Sequence, residues 1–185
     1  MERYDRYIHK VPHFPKEGIL FYDITGLFLN AEAFEEAIGT MVEKLKGRNL
    51  QALAALESRG FLFAAPLACR LSLPLILVRK KGKLPRQTIS RSLVLEYGSE
   101  MIEIHSEDVP VGQKIALVDD LLATGGTMLA AKELLEEVGA KVEDAIVMID
   151  LPFLKGHERL EKKGVFVQTL LSYDSEEVKE ALKDK

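Results

Sequence analysis

What this sequence lacks narrows it first. It has no tryptophan, one cysteine and four histidines in 185 residues. A single thiol, Cys69, cannot form an intrachain disulfide, which excludes a disulfide-stapled scaffold. Cys69 lies in an Ala/Leu-rich helical stretch and reads as a small core residue. His9, His13, His105 and His157 have no partner at metal-ligand spacing, so they read as surface or packing residues. No apolar run approaches membrane-spanning length, and the start at Met1-Glu2-Arg3-Tyr4-Asp5 is no signal peptide; a cytoplasmic protein is expected. There is no excess of positive charge either. The formal net charge is −4, which argues against a general nucleic-acid binder. Repeats and low-complexity segments are absent, and the length suits one domain spanning 1–185.

The informative stretch runs from Lys114 to Val138. Ile115-Ala116-Leu117-Val118 is too short for a helix and has the branched character of a buried parallel strand. Asp119 and Asp120 follow, where that strand should end. Then come Leu121-Leu122-Ala123-Thr124-Gly125-Gly126-Thr127 and a helical run ended by Gly139. Gly125 and Gly126 would let the backbone take positive φ and approach a ligand closely. Loop amides at a helix start favour an anion, and Thr124 and Thr127 add hydroxyl donors, so a phosphate monoester fits there. Two carboxylates just upstream would repel that phosphate. They make sense facing sugar hydroxyls or a hydrated Mg²⁺. A ribose 5-phosphate satisfies both halves. A Walker A loop and a dinucleotide fingerprint are both missing.

The rest of the chain alternates. Residues 1–26, with Pro12, Pro15 and Gly18, read as a short helix or coil followed by an irregular segment over the core. Asn30 is a plausible N-cap for a helix with Phe34, Ile38, Met41, Val42 and Leu45 on one face, stopped by Gly47. Ala52 to Leu56 is a small-residue strand. Glu57-Ser58-Arg59-Gly60 turns into a helix from Phe61 to about Leu71, with Pro66 at a kink or in its first turn. Leu75 to Val78, Glu143 to Ile149 and Val165 to Leu170 are further strands, and Ser175 to Leu182 a terminal helix. Strand, turn, helix, strand repeated twice implies an α/β fold: a parallel twisted sheet flanked by helices. Ligands of such sheets bind at the carboxyl ends of the strands.

Between Arg79 and Arg91 lie six basic residues (Arg79, Lys80, Lys81, Lys83, Arg86, Arg91) and no acidic one. Alone, such a run is usually a solvated surface. Here it follows a strand end and precedes a hairpin, Ser92–Tyr97 with Met101–Ile104. A basic flap beside a phosphate loop would counter the charge of a diphosphate.

Val118-Asp119-Asp120-Leu121-Leu122-Ala123-Thr124-Gly125-Gly126-Thr127 closely resembles the phosphoribosyl-diphosphate (PRPP) signature of type I phosphoribosyltransferases. Phe14-Pro15-Lys16-Glu17-Gly18-Ile19-Leu20-Phe21, Glu57-Ser58-Arg59-Gly60-Phe61-Leu62-Phe63, Arg79-Lys80-Lys81-Gly82-Lys83-Leu84-Pro85 and Leu95-Glu96-Tyr97-Gly98 stand where adenine phosphoribosyltransferases carry their motifs. The resemblance covers about 14–170. It implies a hood over about 1–30, a core over about 31–170 containing a flap at about 79–105, and a C-terminal helix at about 175–185. The implied reaction converts adenine and PRPP to AMP and diphosphate with Mg²⁺ in purine salvage, by a homodimer. In that reading Asp119 and Asp120 hold the ribose, and Ala123, Thr124, Gly125, Gly126 and Thr127 hold the 5′-phosphate. Glu57, Ser58, Arg59, Arg79, Lys80 and Lys83 face the diphosphate. The backbone of Leu20 and Tyr22, with Phe21, meets adenine. Glu96 exchanges a base proton beside Tyr97, with Glu103 the second candidate. Mg²⁺ is carried mainly by PRPP, near Asp119 and Asp120, with no direct protein ligand assigned. Tyr22 departs from the family pattern, in which a basic residue is usual. A phosphoribosyltransferase for another base, or a PRPP-sensing regulator of this fold, remains open. The regulator would need an added DNA-binding domain or a broad basic face.

Overall fold

A computed structural model of the chain describes residues 2–94 and 99–182. Helix α1 (Glu2–Asp5) leads into strands β1 (His9–Pro12) and β2 (Leu20–Asp23), then α2 (Thr25–Phe28) and α3 (Ala31–Leu45). Next come β3 (Ala52–Leu56), α4 (Gly60–Leu71), β4 (Leu75–Lys80), and the antiparallel pair β5 (Thr88–Val94) and β6 (Ser99–His105). The chain continues through β7 (Lys114–Leu122), α5 (Gly126–Glu137), β8 (Lys141–Asp150), α6 (Gly156–Glu161), β9 (Phe166–Ser172) and α7 (Ser175–Ala181).

The central sheet has the order β5-β6-β4-β3-β7-β8-β9. The five strands from β4 to β9 run parallel, and β5 and β6 join antiparallel through Arg79↔Glu103 and Lys80↔Ile102. Strand alternation divides the core. Leu53, Ala55, Ala116 and Val118 pack under α3 and α4, while Ala52, Ala54, Ile115 and Leu117 pack under α5. Each large aliphatic side chain removed from water there stabilises the fold by about 1.5–3 kcal/mol.

Several local expectations match. Asn30 caps α3, its Oδ1 accepting from Ala33 N at 2.9 Å. Gly47 ends that helix with φ +75°. Others are corrected. Asp119 and Asp120 do not follow β7 but lie within it, because β8 pairs alongside as far as Leu122↔Asp150. The segment at 1–26 contains a two-stranded antiparallel sheet, β1 with β2. Four residues per strand are too few to show a period. Pro66 sits inside α4, past its first turn. Cys69 is exposed rather than in the core, since one helical step past Ala68 turns it off the stripe of Phe63, Ala64 and Leu67.

Candidate active site

The carboxyl ends of β3, β4 and β7 adjoin one cleft of about 390 Å³, lined by Glu57, Ser58, Arg59, Lys80, Asp119, Asp120, Leu121 and Thr127. A smaller pocket of about 100 Å³ lies beside it, formed by Asp119 and the chain from Leu121 to Met128. The strand that carries the acidic pair therefore hands directly to the loop that surrounds the small pocket.

Only one of the two loop glycines takes positive φ. Gly125 has φ +75° and serves as the N-cap of α5. Gly126 is the first helical residue, and a Cβ there would meet only Thr124 Oγ1 at 3.8 Å. The loop is also held from behind, which the sequence reading missed. Gly156 N donates to Ala123 O at 3.1 Å, and Arg159 Nη1 donates to Thr124 O at 2.8 Å. A Cβ on Gly156 would fall 2.2 Å from Ala123 O, so only glycine fits that approach. Near it, His157 Nδ1 lies 2.7 Å from the buried Asp150 carboxylate. The available signal was weak: a lone glycine at the start of a six-residue helix.

The acidic pair is asymmetric. Asp120 is buried, and Arg59 Nε lies 2.9 Å from its Oδ2. The contact is close enough for an ion pair but out of line for a hydrogen bond, which leaves Oδ2 without an aligned partner. Asp119 Oδ1 accepts from Asp120 N at 2.8 Å. Burial, reinforced by the neighbouring Asp120 charge, pushes the Asp119 carboxyl well above the usual range. Gly60 makes this crowding possible. Its missing Cβ would lie 2.8 Å from Val118 O and 3.0 Å from Asp119 Oδ1.

The basic run is more divided than its sequence suggests. Arg79 Nε lies 3.2 Å from Glu57 Oε2, and its Nη1 donates to Lys83 O at 3.2 Å. Lys80 N also donates to Glu57 Oε2, at 2.9 Å. Burial alone would raise the Glu57 pKa, but the Lys80 amide and the Arg79 guanidinium bring it below the ordinary value. Glu57 thus fixes the cationic end of β4 from the end of the adjacent strand β3. Lys80 lines the cleft and Lys83 is exposed. Arg86 instead pairs with Asp108 at 2.7 Å, and Arg91 with Glu133 and Glu137 of α5 at 3.0 Å each. These two arginines therefore serve other partners, contrary to a reading of the whole run as one diphosphate clamp.

In the hood, alternation buries Leu20 and Tyr22 and leaves Phe21 on the opposite face. Phe21 makes an edge contact with Phe14 at 5.1 Å and lies beneath the Arg59 guanidinium at 5.2 Å. Tyr22 stacks on Tyr173 with ring centroids 4.6 Å apart in the core. Glu96 and Tyr97 lie outside the described residues. Glu103 is buried, with Oε1 accepting from the amides of Lys83 and Leu84 at 2.9 Å each. Burial would raise its pKa, but those amides, the Gly82 amide and the Thr88 hydroxyl hold it below the ordinary value. Glu103 is spent on the base of the flap.

Comparison with known proteins agrees with this geometry. The family described as "Phosphoribosyl transferase domain" matches residues 27–184. The adenine phosphoribosyltransferase of Treponema denticola is 51% identical over 94% of this chain and 90% of that protein. That of Rhodospirillum rubrum is 48% identical over 91% of this chain and 97% of its own length. The crystal structure of the Thermoanaerobacter pseudethanolicus enzyme superposes with TM-score 0.89 at 44% identity, covering 93% of this chain and 99% of that one. The Saccharomyces cerevisiae enzyme, solved with adenine and an imino-altritol bisphosphate, gives TM-score 0.86 at 36% identity over 91% and 96% of the two chains. Strand order, acidic pair, glycine loop and relatives converge: this chain belongs to the adenine phosphoribosyltransferases, within the family of phosphoribosyl transferase domains.

Proposed function

We propose that this chain transfers the 5-phosphoribosyl group of PRPP to adenine in purine salvage, giving AMP and diphosphate with Mg²⁺. The observation that carries this reading is the junction of β7 and its loop. A carboxylate pair, Asp120 buried and Asp119 half-buried, and a small phosphate-sized pocket share Asp119 and stand one loop apart. A ribose 5-phosphate spans that separation with its diol at one end and its phosphate at the other.

The roles follow from placement and resemblance. Asp119 and Asp120 hold the ribose hydroxyls and favour the positive charge that develops as C1′ parts from diphosphate. Ala123, Thr124, Gly125, Gly126 and Thr127 hold the 5′-phosphate. Glu57, Ser58, Arg59 and Lys80 line the cleft on the diphosphate side, and the resemblance adds Arg79 and Lys83; backbone amides and cations there offset the leaving charge. Leu20 and Tyr22 read adenine through their backbone, with Phe21 against its ring. On the resemblance alone, Glu96 accepts a base proton as nitrogen bonds C1′, with Tyr97 assigned beside it. Among the described residues no group of three or more carboxylate, histidine or cysteine side chains could hold a metal alone. The Asp119 and Asp120 carboxylates line the cleft, a donor set that fits a hydrated cation delivered by PRPP, with Arg59 already paired to Asp120 Oδ2. Bound there, Mg²⁺ would neutralise diphosphate charge. No helix among the described residues is long and apolar enough to cross a membrane. We read the enzyme as a cytoplasmic homodimer, paired near the flap, with no nucleic-acid partner.

Base choice follows from hydrogen-bond polarity. Adenine offers an acceptor at N1 and a donor at N6, and hypoxanthine offers the reverse. Inverted pairs on a buried base cost orders of magnitude, so adenine should be preferred by at least about a hundredfold in kcat/KM. The test is AMP formation from adenine and PRPP with Mg²⁺, beside guanine, hypoxanthine, xanthine and orotate. Equal use of adenine and hypoxanthine would overturn the assignment.

A further inference from the structure

We infer that Arg159, on α6, is a positioning residue for the 5′-phosphate: it aims the phosphate loop without touching the ligand. The inference rests on the proposed reading of that loop as the 5′-phosphate site. Two successive loop carbonyls are drawn to α6. Ala123 O accepts from Gly156 N at 3.1 Å, and Thr124 O accepts from Arg159 Nη1 at 2.8 Å. In a trans peptide the carbonyl and the following N–H point in opposite directions. Holding the Ala123 carbonyl toward α6 therefore turns the Thr124 N–H away from it. Holding the Thr124 carbonyl does the same for the Gly125 N–H. The small pocket is walled by Asp119 and residues 121–128, with no residue of α6 among its walls. Those amides are thus directed to the pocket side of the loop, where an anion needs donors.

The two contacts divide the work. Gly156 sets the distance, because any side chain there would meet Ala123 O at 2.2 Å, and a Cβ added to Gly125 would in turn lie 3.1 Å from Gly156 O. Arg159 sets the orientation of one peptide plane, through a planar guanidinium donor. Its charge also stands behind the phosphate rather than beside it, so it favours the anion without competing for its oxygens. Lysine lacks the planar fork and would hold the carbonyl less rigidly.

The test is isothermal calorimetry on wild type, Arg159→Gln and Arg159→Lys with two ligands, ribose 5-phosphate and inorganic diphosphate. Wild type should bind both; failure to bind ribose 5-phosphate would sink the reading of the loop itself. Arg159→Gln should weaken ribose 5-phosphate by about three- to tenfold, the range for one lost hydrogen bond, with diphosphate unchanged. Arg159→Lys should recover part of that loss. In steady state, the KM for PRPP should rise by more than kcat falls. If Arg159→Gln binds ribose 5-phosphate as wild type does, the inference is wrong. If it weakens both ligands equally and lowers Tm, the residue is only structural. Gly156→Ala should give a larger loss in the same direction; should it fail to fold, the Arg159 pair still decides.

Discussion

Arg59 stands against the buried Asp120, with Nε 2.9 Å from Oδ2. Arg59→Ala would leave two neighbouring carboxylates without it. A stability loss of about 1–2 kcal/mol is expected, less than for a wholly buried pair because the Arg59 side chain is 38% exposed. The KM for PRPP should rise about tenfold or more. Arg59→Ala/Asp120→Asn should recover part of the stability and none of the activity. Thermal melts and steady-state kinetics on the double-mutant cycle read both; simple additivity would mean the pair is not coupled.

Asp119→Asn should stabilise the protein while impairing it. The amide oxygen can still accept from Asp120 N, but the charge is gone. The wild-type carboxyl is raised in the fold from an ordinary value of 3.8. Below that value both states are protonated and the variant gains nothing. As pH rises through the raised folded pKa, wild type must ionise a crowded group and loses stability. The Tm advantage of Asn should therefore be small near pH 4 and grow toward neutrality. A pH-independent advantage would contradict this account. PRPP affinity and kcat should both fall, since a ribose contact and transition-state charge are lost.

Two flap glutamates should part company. Glu103→Gln removes a charged acceptor from amides at 2.9 Å, so a loss of about 1–3 kcal/mol is expected with little effect on kcat. Because the Glu103 pKa is lowered from 4.5, that difference should hold at neutral pH and fade as pH falls through the folded value. Glu96→Gln should do the opposite: kcat lower by about 10²–10⁴, with PRPP affinity and Tm nearly unchanged. The reverse pattern would move the proton role to Glu103.

The loop glycines should also differ. Gly125→Ala must hold φ +75° with a Cβ 3.1 Å from Gly156 Cα, so it should cost about 1–2 kcal/mol or more. Gly126→Ala meets no such barrier and should be neutral or stabilising by up to about 1 kcal/mol, as a helix position. Gly126→Val should fold yet lose ribose 5-phosphate binding, because its branches enter a pocket of only about 100 Å³. Denaturant melts separate the two effects from calorimetry.

These residues also show how far the sequence could be read. The strand, acidic pair and loop at 115–127 were legible because each element is local and its chemistry sits at fixed spacing. Adjacent glycines look alike in sequence, so only three-dimensional closure assigns the positive φ to Gly125 and not to Gly126. Arg86 and Arg91 read as part of one basic flap, yet their carboxylate partners lie 22, 42 and 46 residues away. Glu103 and Tyr22 were ambiguous for the same reason, since burial and partner choice belong to the packed chain. Arg159 was invisible: its partner is a backbone carbonyl 35 residues upstream, and no side-chain pattern records that.

The register of β3 against β7 has a consequence for how the enzyme comes into being. Ala52 pairs with Ile115, and Lys114 N reaches Gln51 Oε1 across 63 residues of chain. Pairings this remote are entropically late, since the intervening chain, which carries α4, β4, β5 and β6, must come round before any β3–β7 contact rewards it. The cleft's two walls, 57–59 and 119–120, are carried in by that same event. During synthesis the open edge of β3 must wait until β7 has emerged, an interval in which an apolar strand offers itself to any other chain. Refolding should accordingly return activity in one step with the β3–β7 pairing, and that step is where a chaperone would matter most.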